Sequence, residues 1–99
     1  MMNKVILVGR LTANPEIKKV NKKSCCNFTV AINYSKDEAN FINCTAWGVT
    51  ADFLGKNFEK GKKIVVEGSL ATNTYQDNKY KNVTHYNTFV NVFKVEFAD

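Results

Sequence analysis

Two large aromatic residues, Phe41 and Trp47, stand six positions apart in the stretch FINCTAWG (41–48), and Trp47 is the only tryptophan in the chain. With the two-residue period of a β-strand, Ile42, Cys44 and Ala46 fall on one side and Phe41, Asn43, Thr45 and Trp47 on the other. The small apolar side reads as core. The opposite side then displays two flat rings separated by an amide and a hydroxyl. Rings on the solvent side of a strand are what unpaired nucleic-acid bases need for stacking, which is worth about 1–3 kcal/mol per base and tolerates any sequence. Six residues of strand span ~20 Å, a spacing that suits separate bases of an extended strand better than one shared pocket. The competing use of such rings is to cover a helix or a subunit interface. The polar neighbours Asn43 and Thr45, in a basic and strand-rich chain, favour stacking. Tyr75 and Tyr80 flank the polar tip QDNK, and Tyr34 ends its strand beside Lys36. At strand ends such tyrosines either extend a stacking surface or anchor a loop.

The groups that catalysis would need are sparse. His85 is the only histidine and falls in a strand pattern, so no Cys/His cluster has zinc spacing. The five glycines are dispersed and form no phosphate-binding loop. No serine has a plausible base partner apart from His85, and the carboxylates fall mostly in turns or on helix faces. No enzymatic activity, no cofactor and no metal are expected.

The chain has 99 residues, 44% hydrophobic and 23% charged, an ordinary globular composition from which one domain covering 1–99 is expected. Fourteen Lys+Arg against nine Asp+Glu give a net charge of +5, and Arg10 is the only arginine. This balance suits an anionic partner such as nucleic acid or a membrane surface. The lysine clusters KKVNKK and KGKK read either as a solvated surface or as part of a phosphate path. Three cysteines, Cys25, Cys26 and Cys44, make an odd number without C-x-x-C spacing, consistent with a reduced, cytoplasmic protein. The apolar run near the N-terminus is too short for a signal peptide, and no segment reaches the ~20 apolar residues of a membrane helix.

Strand patterns dominate the elements that must position these residues. A β-rich run over 5–11 is followed by turn chemistry around Pro15 and the lysine-rich segment 18–24, an exposed loop or hairpin tip. Strands are expected over 26–34 and 41–48. From Thr50, a possible N-cap, the spacing of Phe53, Leu54, Asn57 and Phe58 predicts a short helix, with Gly61 as its C-cap glycine. Alternation resumes over 63–75 and again over 83–97, where Phe89, Phe93, Val95 and Phe97 share one parity. Phe28, Phe53, Phe58, Phe89, Phe93 and Phe97 are assigned mainly to the core. The order predicts an all-β, five-stranded Greek-key OB-fold barrel with one short helix between strands 3 and 4.

VILVGRLTANPEI, FTVAINY, FINCTAWG, a helix ending in FEKGKK, and VVEGSLATNTY follow one another in an order that resembles bacterial and phage single-stranded DNA-binding proteins. The resemblance runs from about residue 1 to 75 and continues more loosely to the end. It implies an OB-fold, a homotetramer with D2 symmetry, and sequence-independent binding of single-stranded DNA by stacking plus phosphate contacts, in replication, recombination or repair. Position by position, it carries stacking roles to Phe41, Trp47 and Tyr75, with a fourth near Tyr34. Basic or polar contacts fall on Lys4, Arg10, Asn43 and Lys60. The hairpin 73–85 resembles the family's DNA-wrapping loop, to which Lys79, Tyr80 and Lys81 would contribute. Where many members carry arginines, this chain has Ala71, Asn73 and Thr74, so weaker phosphate contacts are expected there. The sequence stops at Asp99, before the acidic tail of familiar members, so tail-mediated recruitment of replication enzymes is not expected from it. An OB-fold RNA-binding module and a replication accessory module are the alternative readings.

Overall fold

Alternating apolar and polar residues build six strands and one helix: β1 (Val5–Leu11), β2 (Ile17–Val20), β3 (Lys23–Asn33), β4 (Ala39–Trp47), α1 (Val49–Asn57), β5 (Lys63–Gln76) and β6 (Thr84–Phe97). The computed structural model describes residues 1–76, 79–80 and 82–98, and of Tyr75 the backbone only. The strands form one sheet in the order β1-β5-β6-β4-β3-β2, and β1 also pairs with β3 through Arg10↔Ala31 and Leu11↔Val30. That last pairing closes the sheet into a barrel. Gly9 permits the closure, because a Cβ there would collide with the carbonyl oxygen of Ala31. β4 and β6 run parallel, and the crossover between them contains α1 and β5. The expected all-β OB-fold with one helix therefore holds.

β2 makes a sixth strand beyond the five expected. β1 and β2 both run antiparallel to β3, so they act as one strand interrupted at 12–16 around Pro15. The lysine-rich segment is resolved as a hairpin: Val20 pairs with Lys23 across a two-residue turn. Asn21 and Lys22 there have φ of 51° and 67°, the positive values a primed hairpin turn demands at both positions.

The core joins Leu11, Phe28, Val30, Cys44 and Ala46 to Leu54, Phe58, Ile64, Val66, Val90 and Val92. Fully burying a side chain such as Leu54 or Ile64 contributes about 1.5–3 kcal/mol. All three cysteines are buried and free. Burial pushes the Cys44 thiol up to about 12, and it raises Cys26 as well, helped by the neighbouring Cys25. Both therefore stay neutral near pH 7 and pack as small hydrophobes.

Three expectations are corrected. Thr50 is not the N-cap: Gly48, at φ 63°, occupies that place without a side-chain cap, and the helix begins at Val49. Gly61 is not the C-cap glycine: Phe58 caps the helix in extended conformation, and Gly61 turns the chain later to donate its N–H to the Leu11 carbonyl at 2.9 Å. The third concerns β6. Val90 and Val92, not Phe89, point inward, and Phe93 is 59% exposed. Gly68 pairs with Val92 but Glu67 with Lys94, so Phe93 is an extra residue without a partner in β5. This bulge reverses the parity, and only beyond it does Val95 face the core. At the bulge, a Cβ on Gly68 would strike the Asn91 carbonyl. Phe97, half exposed, stacks on Phe58 at 4.9 Å between ring centroids and meets Phe53 edge-on at 5.7 Å.

Candidate nucleic-acid interface

β4 is laid down as its alternation dictates. Cys44 and Ala46 are buried and Ile42 half-buried, whereas Phe41 is 67% and Trp47 39% exposed. Pairing with β3 turns this strand into a two-strand ladder. Ala31 lies opposite Phe41, Thr29 opposite Asn43, Asn27 opposite Thr45 and Cys25 opposite Trp47. Side chains of paired residues share a face, so the two rings sit at opposite ends of a polar floor. Within that floor, the Thr29 hydroxyl donates to Asn43 Oδ1 at 3.1 Å and the Thr45 hydroxyl to Asn27 Oδ1 at 2.8 Å. Both amide NH₂ groups are left available to a ligand. Across a groove of about 370 Å³, the floor faces Asn73, Asn87 and Phe89 of the β5–β6 hairpin.

Register across the barrel extends the Phe41 end. Arg10 pairs with Ala31 on one side and with Lys63 on the other. The row Lys63–Arg10–Ala31–Phe41 thus places two cations in line with an exposed ring. The Arg10 guanidinium donates to the Gly61 carbonyl at 2.9 Å. In the same turn, the backbone N–H of Lys60 donates to Asn14 Oδ1 at 2.8 Å, which brings the neighbourhood of Lys60 to that end as well. In the sequence Lys63 was visible only as one lysine of the KGKK cluster; the β1–β5 register singles it out. Tyr34 is exposed, and its hydroxyl donates to Glu38 Oε2 at 2.6 Å. That bond to a carboxylate raises the phenol above its ordinary value. The Tyr34 ring is therefore held across the β3–β4 turn with its faces open.

The remaining expected residues are placed elsewhere. Lys4, just before β1, is six residues from Arg10, or ~20 Å along a strand, and contacts Glu67 at 3.6 Å. Tyr75 lies in the β5–β6 hairpin, its backbone paired with His85; its side chain falls outside the described residues. Tyr80 is exposed near the hairpin tip with the Lys79 ammonium 5.8 Å from its ring centroid. Lys81 lies outside the described residues. Among the described residues, no three His, Cys, Asp or Glu side chains cluster so as to hold a metal.

Fold and face together define the class: an OB-fold barrel that carries an aromatic-ended polar ladder on one strand pair. The chain matches the Single-strand binding protein family over residues 2–98 and belongs to it. A single-stranded DNA-binding protein 1 of Clostridium acetobutylicum is 42% identical over 84 residues, covering 77% of this chain and 76% of the relative. The single-stranded DNA-binding protein of Clostridium perfringens is 36% identical over 102 residues, covering 99% of this chain and 67% of the relative. That of Fusobacterium nucleatum is 38% identical over 107 residues, with 99% and 68% covered.

Proposed function

We propose that this chain binds single-stranded DNA without sequence preference and protects it during replication, recombination or repair. The observation that carries the reading is the β3–β4 face, where Phe41 and Trp47 stand exposed at the ends of an amide and hydroxyl floor. Bases stack on Phe41 and Trp47, and on Tyr34 and Tyr75 where the strand enters and leaves. Asn43 offers its amide NH₂ to base or phosphate oxygens, and Arg10, Lys60 and Lys63 neutralise phosphates near Phe41. Lys79, Tyr80 and Lys81 add contacts from the hairpin. The relatives' name, single-stranded DNA-binding protein, supports the same ligand. The role is that of a binder, with no chemical step.

Self-association is part of the proposal. Between Val5 and Gly9, β1 pairs with β5 alone, and it presents exposed Ile6 and Val8 beside that free edge. An unpaired apolar edge is a template for another strand, which favours a homotetramer assembled through β1. The cytoplasm, where thiols stay reduced, suits the three free cysteines.

Titration of oligo-dT while following Trp47 emission tests the reading. Strong quenching is expected, with affinity falling as salt rises at a log–log slope of ~−0.7 per phosphate neutralised. No binding at low salt would end it. Competition by oligo-U at equal salt separates a DNA binder from an RNA module.

A further inference from the structure

The ladder does not stop at Trp47. Cys25 is opposite Trp47, Lys23 lies two residues earlier on the same side of β3, and Val20 is opposite Lys23. The face therefore runs on, past the ring, onto the β2–β3 hairpin. A second groove of about 400 Å³ opens there, lined by Val20, Asn21, Lys23, Trp47 and Asn91. Asn91 pairs with Thr45, so this groove adjoins the polar floor on the other side of Trp47. The Lys23 ammonium is 6.0 Å from the Trp47 ring centroid, at the limit of a cation–π contact. Among the described residues it has no carboxylate partner.

The hairpin is held in place. The Lys19 ammonium donates to Ser24 Oγ at 3.0 Å, and the buried Ser24 hydroxyl donates to Asp52 Oδ1, in the first turn of α1, at 2.7 Å. The Gly48 N–H, next to Trp47, donates to the Ser24 carbonyl at 2.8 Å. Ring, helix start and hairpin base are thereby one unit, and Lys23 projects from a fixed platform.

We propose that Lys23 is a phosphate-binding residue and that the nucleic-acid path continues from Trp47 over the β2–β3 hairpin. A base on the Trp47 ring brings its own sugar-phosphate within reach of an ammonium already beside that ring. Asn91 and Asn21 supply neutral donors along the same groove, and the hairpin gives the path a defined exit opposite the Arg10 end. The inference rests on the reading that the β3–β4 face binds single-stranded DNA.

The test is a salt titration of end-labelled dT oligomers by anisotropy, a signal independent of Trp47, at lengths of roughly 4 to 16 nucleotides, the range one OB-fold covers. For the longer oligomers, Lys23→Ala is expected to reduce the salt slope by ~0.7 and to weaken binding about fivefold at about 0.1 M salt, the loss of one phosphate contact. The shortest oligomers, which need not reach the hairpin, should lose less. Lys23→Arg should restore the slope. Lys56→Ala, which removes the same charge from the last turn of α1, serves as the control for net charge. An unchanged slope in Lys23→Ala, or an equal change in Lys56→Ala, overturns the hairpin path while wild-type binding leaves the proposed function standing. Failure of the wild type to bind any of the oligomers overturns both.

Discussion

Two patches on the outside of the same barrel use charge in opposite ways. On the β1–β5–β6 side, Lys4 and Lys94 both approach Glu67, at 3.6 and 3.9 Å, and Lys94 meets Glu96 at 2.9 Å. These two cations are answered by carboxylates, and the neighbouring Ile6 and Val8 are exposed. On the β3–β4 side, Lys23 stands beside Trp47 and Arg10 in line with Phe41, and the polar groups between them bond to one another through hydroxyl–amide pairs. The net charge of +5 is thus not spread evenly in effect. Self-paired charges quiet one patch, and the attraction for a polyanion concentrates on the other, where aromatic faces are also displayed.

The comparison is broken most decisively by removing the rings. Phe41→Ala and Trp47→Ala should each cost about 1–3 kcal/mol of oligo-dT binding, roughly five- to hundredfold in affinity. Anisotropy of a labelled oligomer measures this; near-unchanged affinity in both variants would reduce the rings to packing residues. Next in size is Gly9→Ala, aimed at the seam where β1 closes on β3 and carries Arg10 toward Phe41. Its Cβ meets the Ala31 carbonyl, so a loss of ~1–3 kcal/mol in urea denaturation is expected. The smallest effect sharpens the charge contrast itself. Arg10→Ala should lower the salt slope by ~0.7, whereas Lys94→Ala, on the self-paired patch, should leave it unaltered. Equal slopes for the two variants would erase the distinction.

How much of this was legible in the residues varied with how local its cause was. The β4 face could be read from FINCTAWG because alternation there is unbroken and nothing distant alters it. The helix was legible by spacing but its ends were not: its start is set by a backbone φ of 63° at Gly48, which no side-chain pattern announces. The row that joins Lys63 and Arg10 to Phe41 depends on pairing among β5, β1, β3 and β4, residues up to 53 positions apart, and a sequence read along its length does not contain that register. Lys23 was visible only as one of a run of lysines. What singles it out is the hairpin turn, which brings it to the side of the strand that Trp47 shares.

The bulge at Phe93 has a consequence for how this chain can vary. Up to Val92, the inward residues of β6 are those of even number, and beyond Phe93 they are odd. Substitution at Phe93, whose side chain is largely outside, leaves that arrangement untouched. Deletion of the same residue would join Val92 to Lys94 in unbroken alternation, keep Gly68 opposite Val92 and Glu67 opposite Lys94, and remove only the local bend and twist that the bulge introduces. Lys94 and Glu96 would stay outside, opposite Glu67 and Val65, and Val95 would still face the core opposite Val66. At this point the fold is tolerant of both spelling and length, so homologous chains should differ in the residue type at 93 and in whether the extra residue is present at all.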